Sequence, residues 1–292
     1  MKAKTIKAVI AKKMNEWWES IEDETVRDFA KANTIVTGGC IASMLLREKI
    51  SDFDVYLRTK EAAAALAHYY VKKFHDDHNY QMAVEVTDER IRITTPTGKR
   101  GDTAGKVIDA RNAEADALGE IEDTNDQTEM DAQENDAAGY KPVFISTNAI
   151  TLSKKVQIVL RFFGEPEEIH KNYDFVHCTN YWSSWDGNLV LHKDALESLL
   201  SKELRYVGSK YPICSVFRLR KFIARQWTIN AGQLLKMAMQ ISELDLKDLK
   251  VLEDQLTGVD VAYFVEIIGK LKEKDPEKVC SAYLVEILDR MF

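Results

Sequence analysis

The sequence predicts an α+β fold, a mixed sheet with helices followed by an all-α C-terminal domain. Three observations predict it. The run "TIVTGG" at 34–39 is β-rich, ends in two glycines, and leads into a short apolar-faced helix and an alternating strand. Further β-like runs fill 141–162 and 174–192. From Lys193 onward apolar residues recur almost throughout at i, i+3, i+4.

Taken in order, residues 5–31 read as helix, with Ile6, Val9, Ile10, Met14, Trp17, Trp18 and Ile21 near helical spacing. In "CIASMLLREK", Ile41, Met44 and Leu45 give one apolar face. "DFDVYLR" alternates, so Phe53, Val55 and Leu57 face one side and Asp52, Asp54 and Tyr56 the other. "KEAAAALAHYYVKKF" is an alanine-rich helix, and "QMAVEVTDERIRITT" a strand or hairpin. "KPVFISTNAITL" and "KKVQIVLRF" are strands, and "GEPEEIHKNY" is a helix with Pro166 in its first turn. "DFVHCTNYW" and "NLVLH" flank a "SSWDG" hairpin turn. The expected organisation is an N-terminal helical segment (1–33), a sheet domain (34–192) and a helical domain (193–292).

The 292 residues carry a formal charge of -7, which argues at first against a nucleic-acid partner. Location changes that. Twelve acids and two bases, a net -10, lie between Gly101 and Gly139, so the remainder has 38 basic and 35 acidic residues, a net +3. With few large apolar residues, 101–139 is expected to be a flexible acidic insertion. Four scattered cysteines without a CxxC pair favour a reduced, intracellular setting, the host cytoplasm if the chain is viral. No stretch approaches the ~20 apolar residues of a membrane span, and no membrane partner is expected.

The chemistry concentrates in "VTGGCIASMLLREKISDFDVYL". A strand, Gly38-Gly39 and a helix start put unpaired backbone N–H groups where a phosphate can be bound. Glycine lets the phosphate approach the backbone. Thirteen residues after Gly39 comes Asp52, then Asp54, two carboxylates on one strand face. Such hard oxygen ligands suit Mg²⁺, and two such ions can assist phosphoryl transfer.

In this order and spacing, "TGGCIASMLL…SDFDVYL" resembles the polymerase-beta-type nucleotidyltransferase superfamily. Its members carry Gly-Gly or Gly-Ser at a helix start and, a short helix later, an Asp-x-Asp with apolar flanks. The resemblance implies a nucleotidyltransferase-like sheet domain moving an NMP from an NTP to an acceptor hydroxyl, most favourably on RNA such as a tRNA 3′ end. The NTP phosphates would lie on Gly38, Gly39 and Cys40, helped by Ser43, with two Mg²⁺ ions on Asp52 and Asp54. "VQIVLRFFGEPEEIHKNYDFVHCTNYWSSWDG" resembles a group of viral nucleotidyltransferases, which implies Asp174 as third carboxylate and metal ligand. Glu85 is the alternative, while Gln157 stands where an acid would be sought.

"SVFRLRKFIARQW" resembles a helix that follows the catalytic domain in tRNA CCA-adding enzymes and poly(A) polymerases, although the preceding Asp-Pro is missing. The resemblance implies that Arg218 and Lys221 hold nucleotide or RNA; a solvated amphipathic helix is the plainer reading. His75 to His78 reads as a solvated loop, Asp186 as a turn residue, and the tryptophans mostly as core. The competing function is a non-catalytic nucleotide- or protein-binding protein on the same fold. Nucleotidylation of a protein or small molecule is a further alternative.

Overall fold

The computed structural model describes residues 1–88, 90–94 and 139–246, with positions 248, 251, 254 and 255. The described chain forms two units. Residues up to 94, 139–171 and 176–201 make the first; residues 172–175 and those from 202 onward make the second. The acidic stretch lies outside the described residues except for Gly139, as do the helices expected beyond 256.

The first unit opens with α1 (Ala3–Glu19) and α2 (Glu24–Asn33), two helices where the apolar spacing suggested one. Asp23 makes the break, its side chain accepting the Val26 N–H at 3.0 Å as the N-cap of α2. On α1, Ile6, Ile10, Met14 and Trp17 lie four or three apart and are buried. There follow β1 (Thr34–Thr37), α3 (Gly39–Leu46), β2 (Phe53–Leu57) and α4 (Lys60–His78). Histidines 75 and 78 sit in the last turns of α4 rather than in a loop, and the His78 ring stacks on Phe74 at 4.3 Å.

Strands β3 (Ala83–Val86) and β4 (Ile91–Thr94) make a hairpin apart from the main sheet. Next come β5 (Pro142–Ile145), β6 (Ala149–Leu152), β7 (Val156–Phe163) and the short α5 (Pro166–His170). A 3₁₀ turn (Val176–Cys178), the hairpin β8 (Tyr181–Ser183) and β9 (Leu189–Val190), and α6 (Lys193–Ser201) complete the unit. Asp186 is a turn residue: its carboxylate accepts Ser183 Oγ at 2.5 Å and the Asn188 N–H at 3.0 Å.

The seven-stranded sheet runs β5-β6-β7-β2-β1-β8-β9 and is mixed, with β2 and β7 parallel and the other pairs antiparallel. Register separates its faces. Trp182, Val36, Val55, Ile158 and Ile150 align across five strands, and all belong to the buried apolar core shared with α1 to α4. One residue along, Tyr181, Thr37, Asp54, Gln157 and Thr151 align in a polar row on the opposite face. The period of two thus gives one face to the core and leaves the other for chemistry.

In the second unit, β10 (Glu203–Leu204) pairs in parallel with β11 (Thr228–Ile229), and α7 (Pro212–Ala224) packs with α8 (Ala231–Ser242). The described part beyond Lys193 is therefore not purely helical. Phe175 is fully buried here, with Tyr206 and Phe222 at ring-centroid distances of 5.9 and 5.6 Å.

Candidate nucleotide site

The site is built where β1 ends and β2 begins. The two strands are antiparallel, so Thr37, the last residue of β1, stands opposite Asp54, the second residue of β2. Gly38 then turns the chain into α3 with φ 90° and ψ -149°, a conformation open essentially to glycine alone. Its N–H is spent on the Cys178 carbonyl at 3.2 Å. Gly38 therefore serves the turn, and its amide is not offered to a phosphate as the sequence suggested.

Gly39 differs. It is exposed, and a Cβ placed on it would meet no protein atom within 4 Å. The first-turn N–H groups of Gly39 and Cys40 have no intrahelical acceptor by helix geometry, and the helix start is exposed at Gly39, whereas the Ile41 N–H faces the Cys40 sulfur. Ser43 lies one turn on, on the same helix side, and is half-buried.

Asp54 is half-buried in the polar row between Thr37 and Gln157. Asp52 lies just ahead of β2 rather than within it, and Ser51 Oγ donates to its Oδ1 at 3.1 Å. Both carboxylates act on one reporter. Burial first, then Asp54 and Asp52, push the buried Cys40 thiol well above its usual range. The aspartate pair is thus within electrostatic reach of the first turn of α3.

The remaining predicted residues belong to other elements, Asp174, Arg218 and Lys221 to the second unit. Asp174 belongs to the second unit and precedes an isolated bridge at Phe175 instead of starting a strand. Its Oδ1 accepts the Phe175 N–H at 3.0 Å, and its Oδ2 is held by the Arg218 guanidinium. Two residues assigned separate roles, a metal ligand and a nucleotide contact, are thus bound to each other. Lys221 is exposed on α7. Glu85 lies on the outlying β3–β4 hairpin and accepts Thr94 Oγ1 at 3.4 Å. Gln157 occupies the place beside Asp54, its Nε2 donating to Thr151 Oγ1 at 3.4 Å. Among the described residues no group of three or more His, Cys, Asp or Glu gathers as a metal-ligating set.

Sequence reasoning missed what braces the row. Thr37 Oγ1 donates to the Asn180 carbonyl at 2.9 Å, which leaves its lone pairs to accept from His170 Nε2, also at 2.9 Å. Burial, and secondarily His192, lower the His170 pKa to about 4, so the imidazole is neutral at pH 7. Tyr181 and His192 stand around it at centroid distances of 5.8 and 6.3 Å. Contacts between distant segments, which one sequence does not disclose, bring these residues together.

Comparison with known proteins adds a family. A model described as "Gabija anti-defense 2 family protein" matches residues 8–202. A curated relative, "Gabija anti-defense 2" of Bacillus phage SPbetaL7, is 18% identical over 263 residues, covering 89% of this chain and 50% of the relative. The chain thus spans about half the length of that relative. Among solved structures, the Thermotoga maritima CCA-adding enzyme complexed with tRNA aligns with a TM-score of 0.40 and 12% identity, over 95% of this chain and 53% of that one. The Bacillus stearothermophilus CCA-adding enzyme in complex with CTP aligns with a TM-score of 0.40 and 11% identity, over 83% and 48%. At these scores the overlap is partial. No described helix is long and apolar enough to cross a membrane.

Proposed function

This chain belongs to the Gabija anti-defense 2 family, and we propose that it serves an anti-defense role through nucleotidyl transfer. The observation that carries the chemistry is the antiparallel step from Thr37 to Asp54, which sets the aspartate pair beside the opening turn of α3. The family match at 8–202 contains all of these residues.

In this reading the phosphates of an NTP lie on the first-turn amides of Gly39 and Cys40, with Ser43 one turn further along. The Asp52 and Asp54 carboxylates fit one Mg²⁺, which takes one or two carboxylates, phosphate oxygens and retained waters. A second ion, part of the expected set, lacks a third carboxylate among the described residues. When bound, the ion would offset charge building up on the phosphates. An acceptor hydroxyl oxygen bonds to the α-phosphorus, the α–β phosphoanhydride bond breaks, pyrophosphate leaves, and the hydroxyl proton passes to solvent. RNA, including a tRNA 3′ end, is the proposed acceptor. Asp174 and Arg218 act as a structural pair in the second unit, with Lys221 beside them on α7 as a proposed RNA contact.

Incubation with Mg²⁺, each labelled NTP and total tRNA, beside an Asp52→Ala, Asp54→Ala double variant, tests this. Transfer to RNA that vanishes in the variant is expected; transfer that survives it refutes the metal site. Label on added protein or small acceptors instead would redirect the acceptor. A second reading, a non-catalytic nucleotide- or protein-binding protein, is favoured by Gln157 beside Asp54, because an amide brings no negative charge to the site. Failure of transfer to every acceptor class would favour it.

A further inference from the structure

Thr37 lies beneath a group of rings on the polar face of the sheet. It is fully buried, and its neighbours across the strands are Asp54 on one side and Tyr181 on the other. His170 covers it through the 2.9 Å bond to Oγ1. The His192 ring packs against both partners, 6.3 Å from His170 and 6.0 Å from Tyr181. Three half-buried rings therefore gather over Thr37, on the face that carries Asp54. Neighbouring strands lie about 4.8 Å apart, so Tyr181, two strands from Asp54, stands about 10 Å from it along the row. The start of α3 follows Thr37 directly through Gly38.

The chemistry of this patch is aromatic and neutral. His170 is uncharged at pH 7. Burial first, then Glu167, Asp186 and Glu165, raise the Tyr181 pKa, so the charges acting on that ring are carboxylates, which would repel a phosphate. The adjacent lysines, Lys171 and Lys193, are paired with Glu168 and Glu197. Polar edges remain available. Among the described residues, neither Tyr181 Oη nor a His192 ring nitrogen has a hydrogen-bond partner. Asn180, 1% exposed, fixes the third ring by accepting the His192 N–H on Oδ1 at 2.9 Å. Its Nδ2 is then buried without a partner, a cost in stability incurred in placing His192.

We propose that Tyr181, His170 and His192 form the platform for the base of the nucleotide substrate. It rests on the reading of this sheet end as a nucleotide site. With the phosphates at the start of α3 and the metal on the aspartates, the nucleoside extends along the row past Thr37, a span that one ribose and base can bridge. The base stacks on the rings, and its polar edge meets Tyr181 Oη and the His192 nitrogens.

Calorimetric titration of the full chain with magnesium tripolyphosphate, with each MgNTP and with a short single-stranded RNA tests the assignment. The variants are Tyr181→Leu and His192→Leu, with Tyr181→Phe as the conservative change, and thermal melts confirm folding. The parent should bind at least one MgNTP about tenfold more tightly than tripolyphosphate, the gain expected from one base stack. Each leucine variant should lose most of that advantage while binding tripolyphosphate as the parent does, and Tyr181→Phe should keep it. Leucine variants that bind every MgNTP as the parent does would overturn the platform while leaving the nucleotide reading intact. Equal losses for MgNTP and tripolyphosphate would do the same. Weakening confined to the RNA would overturn the assignment to the NTP base and give the rings to the acceptor. Absence of binding of both MgNTP and tripolyphosphate to the parent would overturn the platform and the nucleotide reading together.

Discussion

Asp54 of β2 and Gln157 of β7 stand side by side in parallel register, on the same face of the sheet. A carboxylate and a neutral amide share the position where two carboxylates would meet. This follows from the one parallel pairing in a sheet whose other pairs are antiparallel. Gln157→Asp should therefore strengthen Mg²⁺ binding several-fold. Without metal it should lower stability by about 1 kcal/mol, because like charges placed side by side repel. Metal titration and paired melts with and without Mg²⁺ measure both; weaker metal binding in the variant would contradict the placement.

The two glycines should separate on substitution. Gly38→Ala forces a side chain into φ 90° and should cost at least about 2 kcal/mol by chemical denaturation. Gly39→Val meets no protein atom at its Cβ, so stability should change by less than about 1 kcal/mol. MgATP affinity should nevertheless fall, because the added side chain obstructs the open approach to the α3 amides.

His170 makes stability depend on pH. Its folded pKa, about 4, lies below the unfolded value near 6.5, so the unfolded chain binds the proton more readily. The contribution of the neutral ring is complete above pH 6.5 and is lost as pH falls toward 4. It amounts to roughly 3 kcal/mol. His170→Gln, which keeps a donor toward Thr37, should flatten the fall in Tm between pH 7 and pH 4.5. An unchanged fall would place the titration elsewhere.

Arg218→Met should destabilise the protein by about 2 kcal/mol, since the Asp174 side chain, 11% exposed, would lose the cation that compensates it. Metal binding at Asp52 and Asp54 should stay within twofold of the parent. A large loss of metal affinity would return Asp174 to the site as a ligand.

Local pattern made much of this legible. The period of two in "DFDVYL" separated Phe53, Val55 and Leu57, all in the core, from half-buried Asp54. The glycine pair marked the start of α3, and helical spacing located α6, α7 and α8. Pairing between distant strands was not legible. Nothing local states that Gln157 lies beside Asp54, that His170 reaches Thr37, or that Asp174 answers Arg218. The same holds for Gly38: the acceptor for its N–H is Cys178, 140 residues away. The break between α1 and α2 has a local signal, since Asp23 three residues before Val26 is an ordinary cap.

The central claim is that the aspartate pair and the helix start make one site. Titrating Mn²⁺ into ¹⁵N-labelled protein tests it directly, because the paramagnetic ion broadens amide signals close to where it binds. The Gly39, Cys40, Asp54 and Gln157 signals should broaden at the lowest Mn²⁺ concentrations and recover in an Asp52→Asn, Asp54→Asn variant. Broadening that spares these four amides, or that persists unchanged in the variant, would contradict the account.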